Sequence, residues 1–172
     1  NTTIECDQSS APGTTGTATA TDNCDPAPAI GFTDSIAAGS CIGASVITRT
    51  WTATDVCGNV DSCQQLITTA DTEMPLLTTP CNVSVQCADP VSPGDTGNAT
   101  ATDNCDPAPQ VMFTDDIVSG TCPYESTITR RWTAEDDCGN TTVGVQTITV
   151  LDTTEPLIAC PAGVTIECDA ST

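Results

Sequence analysis

An all-β protein built from tandem, disulfide-stapled sandwiches is the fold the sequence predicts, on three observations: an internal repeat, strand-type composition without helical periodicity, and abundant cysteine. Sliding the chain against itself by 81 residues superposes Thr21–Pro28 on Thr102–Pro109 without a gap, and 42 of the 81 positions from Asp7 to Cys87 are identical to those from Ala88 to Cys168. Self-similarity at a fixed period marks a repeat architecture. Threonine supplies 33 of the 172 residues, and its branched Cβ suits a pleated surface. No stretch has apolar residues at helical spacing. Twelve cysteines accompany only five aromatic side chains, the composition of small domains that need covalent support and an oxidising compartment.

The elements follow in order. In the second repeat, strands are expected at 76–87, 97–102, 110–115, 126–135 and 141–151, separated by the Asp103–Pro109 loop, a Gly/Pro-containing connection at 116–124 and the Asp-Asp-Cys-Gly-Asn turn at 136–140. The first repeat carries the same segments one period earlier. Strands of this length at this spacing suggest two packed sheets. Boundaries are expected at Asp71-Thr72-Glu73-Met74-Pro75 and Asp152-Thr153-Thr154-Glu155-Pro156, where proline stops a strand. The chain therefore divides into a repeat at 1–72 with a truncated first strand, a complete repeat at 73–153, and the first strand of a following repeat at 154–172. It reads as a window from a longer array.

Alternation places Ile47, Arg49, Trp51 and Ala53 on one face of their strand and Ile30, Phe32 and Asp34 on one face of another. If those strands are neighbours, Trp51 and Phe32 form the core and Asp34 reaches Arg49. Ile128, Arg130, Trp132 and Ala134 repeat the pattern against Val111, Phe113 and Asp115. Arg49 and Arg130 are two of only three cations, so each is expected in a partly buried ion pair.

Running the strands down, up and down puts Cys24, Cys57, Cys105 and Cys138 at one pole of their sandwiches and Cys6, Cys41, Cys87 and Cys122 at the other. The pairing expected from that placement is Cys24–Cys57, Cys105–Cys138, Cys6–Cys41 and Cys87–Cys122. Three cysteines depart from the repeat: Cys63 aligns with Gly144, Cys81 with Ala162, and Cys160 with Thr79. Cys63 on a final strand is expected to bond a first-strand cysteine lying upstream of this window and equivalent to Cys160, which leaves Cys81 free or available to another chain.

A net charge of -20 with no histidine and no lysine excludes a nucleic-acid binder working through basic contacts. No apolar run of membrane-spanning length is present, so direct membrane insertion is not expected. Catalysis is not expected either: a base would have to be a carboxylate, and nothing pairs one with a nucleophile. Calcium is the one cofactor the sequence points to, because clustered carboxylates repel one another without a hard cation. Asp71 and Glu73 are expected to approach Asp103, Asp106 and Asp136 of the next repeat. Asp152 and Glu155 would serve the following junction, and Asp22, Asp25 and Asp55 the preceding one. The competing expectation is that these acids are turn residues. Short Asp-Ser/Thr motifs make Ser35 and Thr153 candidates for O-glycosylation.

The segments Asp152–Cys168, Ala20–Cys24 with Ala101–Cys105, and Arg49–Asn59 resemble the hyalin-repeat-like (HYR-like) immunoglobulin-like repeats found in tandem in large surface adhesins of the Bacteroidota, often cargo of the type IX secretion route. The resemblance covers nearly the whole chain. It implies immunoglobulin-like sandwiches at the cell surface with an adhesion or filament role, and no catalytic residues. Gly144, where that pattern has cysteine, departs from it. The expected function is thus a spacer of a secreted tandem-repeat protein, an adhesin stalk or extracellular filament. Its expected partners are neighbouring repeats, other copies in a filament, and a surface or glycan target. A ligand-binding module for glycan or calcium is the alternative.

Overall fold

In a computed structural model of the chain, residues 1–165 are described; Cys168 and the end of the 154–172 segment lie outside them. Among the described residues the protein is all-β apart from two single helical turns. The first repeat contributes β1 (Thr2–Glu5), β2 (Ala29–Ala38), β3 (Ser45–Thr54) and β4 (Val60–Ala70) to one sheet in the order β1-β4-β3-β2. The second contributes β5 (Leu76–Thr78), β6 (Val83–Gln86), β7 (Thr100–Thr102), β8 (Gln110–Ser119), β9 (Ser126–Glu135) and β10 (Thr141–Leu151). Of these, β6-β10-β9-β8 form the matching four-stranded sheet, and β5 and β7 form a two-stranded sheet that packs over it through β9 and β10 on one side and β8 on the other.

The last two strands begin and end where the sequence places them. The first expected strand of the second repeat instead divides into β5 and β6. The break falls at Pro80-Cys81-Asn82, where a proline without an N–H cannot continue a ladder, and it lets the chain change sheets. β6 then runs parallel to β10, with Val83 opposite Ile148, as β1 runs parallel to β4 with Thr2 opposite Ile67. The helical turns α1 (Pro12–Thr15) and α2 (Pro93–Thr96) were not expected, since four residues carry no periodicity. Each starts with proline, whose missing N–H costs nothing at a helix start, and each ends at a glycine with positive φ.

The register bears out the reading of faces. Phe32 pairs with Trp51, Asp34 with Arg49 and Ile30 with Ala53, and Phe113 pairs with Trp132 and Asp115 with Arg130. The phenylalanines are not core residues, however: Phe32 is 44% exposed and Phe113 43%. They lie at the rim because the guanidinium occupies the space beside each ring, with the Arg49 and Arg130 Cζ atoms 4.4 and 4.7 Å from the ring centroids. Arg49 donates through Nε and Nη2 to Asp34 at 2.8 and 2.9 Å, through Nη1 to Thr15 Oγ1, and through Nη2 to the Ser10 carbonyl. Arg130 repeats this with Asp115, Thr96 and the Val91 carbonyl. The helical turns exist to present those threonines. Buried Gln146, and Gln65 in the first repeat, link the tryptophan N–H to the Thr96 and Thr15 carbonyls.

What remains of the apolar interior is small. Ile4, Ile47 and Ile67 form one cluster, and Ile128, Ile148 and Val150, flanked by Val83, Val85 and Val91, form the other.

Candidate metal centre at the repeat junction

Because β4 runs antiparallel to β3 and β1 parallel to β4, the end of β1, the β2–β3 turn and the end of β4 share one pole of the first sheet. That pole carries Cys6, Cys41 and Asp71. The loop before β8 and the β9–β10 turn share the opposite pole of the second sheet, which carries Asp103, Cys105, Asp106, Asp136 and Cys138. These two poles meet.

Cys6 bonds to Cys105, with Cα atoms 6.0 Å apart, and Cys41 bonds to Cys138, with Cα atoms 5.1 Å apart. This corrects the expected pairing. Cys6–Cys41 and Cys105–Cys138 are replaced by two bonds along the array, because contact between the poles brings each cysteine to a partner on the other repeat. Cys24, Cys57, Cys87 and Cys122 carry free, exposed thiols, so the expected Cys24–Cys57 and Cys87–Cys122 bonds are absent too. Gly43 makes the joint compact: its backbone is in the left-handed region, and a Cβ there would lie 2.9 Å from the Cys6 Cβ and 3.1 Å from the Cys105 Cβ. Two hydrogen bonds also cross the joint, from the Ile42 N–H to Asp137 Oδ2 at 2.9 Å and from Asn140 Nδ2 to the Asp71 carbonyl at 3.2 Å.

Beside these bonds lies a group of carboxylates. Asp71, Asp106 and Asp136 are buried, 7%, 6% and 5% exposed, and Asp103 is half-buried. Most of their oxygens hold the loops. Asp103 Oδ1 accepts from the Cys105 and Asp106 N–H groups, Asp106 from those of Ala108 and Asp137, and Asp136 from those of Cys138 and Asn140 and from Asn140 Nδ2. Three oxygens have no hydrogen-bond partner: both of Asp71 and Oδ2 of Asp103. Asp71, Asp103 and Cys105 each offer an atom within 4.8 Å of the others, but the Cys105 sulfur is already in a disulfide and is no thiolate. The usable donors are the two carboxylates, with the Asp136 charge behind them.

Burial, then the charges of Asp103 and Asp136, push the Asp71 carboxyl above its ordinary value of 3.8; the Glu73 N–H offsets only part of this, while Glu5 adds to it. At Asp136 burial acts the same way, but the hydrogen bonds from Asn140 and from the Cys138 and Gly139 N–H groups outweigh it and hold this carboxyl below its ordinary value. No arginine reaches the cluster. Burial and the neighbouring carboxylates disfavour the Asp71 charge, and a bound proton or cation would relieve that cost. Orphaned buried oxygens in two carboxylates are the donor type a hard cation such as Ca²⁺ selects.

The remaining expected ligands stand apart. Glu73 is exposed in the linker. Asp22, Asp25 and Asp55 make the same loop hydrogen bonds as Asp103, Asp106 and Asp136; Asp22 is exposed and Asp25 and Asp55 are half-buried. N–H groups of Asp25 and Cys24 lower the Asp22 carboxyl, and Asn59 lowers that of Asp55. Asp152 and Glu155 are exposed beyond β10. Ser35 is exposed on β2, whereas Thr153 Oγ1 accepts from Gln86 Nε2 at 2.8 Å. Asn140, which ties Asp136 to the Asp71 backbone, was read from the sequence as a turn residue and not as part of the junction; its signal was the shared Cys-Gly-Asn at 57–59 and 138–140.

The pH dependence follows from the sign of the Asp71 shift. A carboxyl that binds its proton more tightly when folded stabilises the joint fully below pH 3.8, and that contribution is lost as pH rises through its raised value. In EDTA at neutral pH, Asp71→Asn is therefore expected to raise the melting midpoint. In calcium the order should reverse, since a ligand at a hundred times its Kd adds about 2.7 kcal/mol to the protein that binds it. Calorimetric melts in EDTA and in calcium check both; identical behaviour of the two proteins in both buffers would count against a cation at Asp71.

No protein-family model and no curated protein sequence matches the chain.

Proposed function

We propose that the protein is a spacer of an extracellular tandem-repeat protein, a stalk or filament segment made of immunoglobulin-like units, whose task is to hold distance and direction. The observation that carries this is the pair of disulfides joining one repeat to the next. A single bond between units leaves a swivel, whereas two bonds, flanked by the Ile42 to Asp137 hydrogen bond, remove it. The ten-residue strands β2, β3, β8 and β9 run between the poles, so each unit adds about 33 Å of strand length along the chain. Two disulfides call for an oxidising compartment, and no helix among the described residues is long and apolar enough to cross a membrane. Both fit a cell-surface location. The reading is non-catalytic: the buried arginines, Arg49 and Arg130, are consumed by structural bonds, and among the described residues no nucleophile is paired with the junction carboxylates.

Small-angle scattering on the oxidised and the reduced chain tests this. Oxidised protein should behave as one elongated rigid particle, and reduction should broaden its distance distribution while each unit stays folded. Free articulation of the oxidised chain would refute the stalk reading. A second reading, calcium binding at the joint, is favoured by the unpartnered Asp71 and Asp103 oxygens and is compatible with the first, because a cation there would stiffen the same junction.

A further inference from the structure

The joint between the repeats holds sulfur and unpartnered carboxylate oxygen side by side. Among the described residues, Asp71, Asp103 and Cys105 each offer one ligand atom within 4.8 Å of the other two. Asp71 is 7% exposed and neither of its oxygens has a hydrogen-bond partner, and Oδ2 of Asp103 has none either. A buried acceptor without a donor is costly, so both carboxylates are poised for a ligand. They come from opposite sides of the joint: Asp71 follows β4 of the first repeat, whereas Asp103 and Cys105 precede β8 of the second.

In the oxidised chain the third atom is disabled, because Cys105 is bonded to Cys6 and a disulfide sulfur carries no charge to give a cation. Reduction changes the donor set. It leaves a Cys105 thiol beside the two carboxylates, and a Cys6 thiol whose Cα lies 6.0 Å from that of Cys105. Carboxylate oxygens alone suit a hard cation, but a thiolate selects a softer one, and zinc accepts sulfur and oxygen together in a tetrahedron. Bonds of about 2.0–2.3 Å to zinc place tetrahedral neighbours roughly 3.3–3.8 Å apart. Ligand atoms already within 4.8 Å of one another therefore need to draw in only slightly. The chain has no histidine, so thiolate and carboxylate are the zinc ligands it has to offer.

We infer that the joint is a redox-gated zinc site: when the Cys6–Cys105 bond is reduced, Asp71, Asp103 and the Cys105 thiolate take up Zn²⁺, with Cys6 as the fourth ligand. The ion then ties Asp71 and Cys6 of one repeat to Asp103 and Cys105 of the next, doing by coordination what the disulfide does by a covalent bond. A water-soluble phosphine opens that bond: phosphorus attacks one sulfur, the other leaves as a thiolate, and hydrolysis releases the first as the phosphine becomes its oxide. Phosphorus gives two electrons, and water gives its oxygen to phosphorus and two protons to the sulfurs. Zn²⁺ then displaces both thiol protons. Because zinc binds the dithiol and not the disulfide, it pulls the balance toward reduction, and oxidation in turn expels it. This builds on the reading of a cation at the joint, adding a second cation class and a redox condition.

The test uses the full-length chain. Iodoacetamide first blocks the free, exposed thiols while the disulfides protect theirs; the phosphine then opens the disulfides. Zinc binding is measured by calorimetry, and Cd²⁺ serves as a stand-in whose thiolate charge-transfer absorption reports sulfur ligation. A single zinc per chain is expected after reduction, and a cadmium–thiolate band that the oxidised chain lacks. Asp71→Asn and Asp103→Asn should each weaken zinc by more than about tenfold. The second variant keeps the Oδ1 that accepts from the Cys105 and Asp106 N–H groups, so its loop stays tied. Asp22→Asn, at the position equivalent to Asp103 in the first repeat, should change nothing. Replacing Cys6 and Cys105 by serine should abolish the band, and replacing Cys41 and Cys138 should not. No band after reduction, zinc affinity indifferent to Asp71 and Asp103, or a band that depends on Cys41 and Cys138 would overturn the inference. The calcium melts and the scattering of the oxidised chain are read without reduction, so failure of those readings and failure of the zinc site are told apart.

Discussion

Replacing Cys6 and Cys105 together by serine is expected to cost the chain about 4 kcal/mol of stability, and removing Cys41 and Cys138 as well about twice that. The figure is large because these bonds connect residues 99 and 97 positions apart, and a cross-link restrains the unfolded chain more as the loop it closes lengthens. The native state has little to set against the loss: the buried apolar clusters contain three side chains each, while a small domain's total stability is about 5–15 kcal/mol. Denaturant unfolding of the wild type and of both variants measures it. Variants with the same midpoint as the wild type would show that the apolar interior and hydrogen bonds suffice, and would remove the case for sulfur as the main restraint on this chain.

Asp115→Ala should destabilise the second repeat by about 3–5 kcal/mol, and Asp34→Ala the first by a similar amount. Arg130 and Arg49 are each 1% exposed, so truncating the carboxylate leaves a guanidinium buried with only a threonine hydroxyl and a carbonyl to bond. Replacing both partners, as in Arg130→Leu with Asp115→Ala, should cost less than Asp115→Ala alone, because no uncompensated charge remains. A double-mutant cycle by urea unfolding gives the coupling. Additive single and double effects would mean that the arginine is neutralised by something other than its aspartate. The Arg49 guanidinium hydrogen-bonded to Asp34 holds that carboxyl below its ordinary 3.8, more than burial raises it. The pair's contribution is therefore present above pH 3.8 and lost as pH falls through the lowered value, the reverse of Asp71.

The strands and their faces were readable because alternation and turn residues are local signals. Ser126–Glu135 and Thr141–Leu151 begin and end where the pattern says, and the Arg49 to Asp34 pair follows from two strands being neighbours. The helical turns at Pro12 and Pro93 were not readable, since four residues hold no period, and Phe32 was misplaced because alternation reports a side chain's face and not what already fills the space beside it. At the candidate site the sequence identified Asp71, Asp103, Asp106 and Asp136 as residues of one junction. It did not show that Asp106 and Asp136 are committed to their own loops while Asp71 has no partner, which depends on hydrogen-bond geometry a few tenths of an ångström wide.

The repeat, the β architecture and the pole on which each cysteine lies are consequences of order along the chain, since strand direction alternates and a period of 81 carries each residue to its counterpart. The choice of Cys105 over Cys41 as the partner of Cys6 is of another kind. Four thiols converge where two units abut, and only the rotation and approach of one unit on the other select which two meet. Packing between surfaces made that selection, as it also buried Asp71.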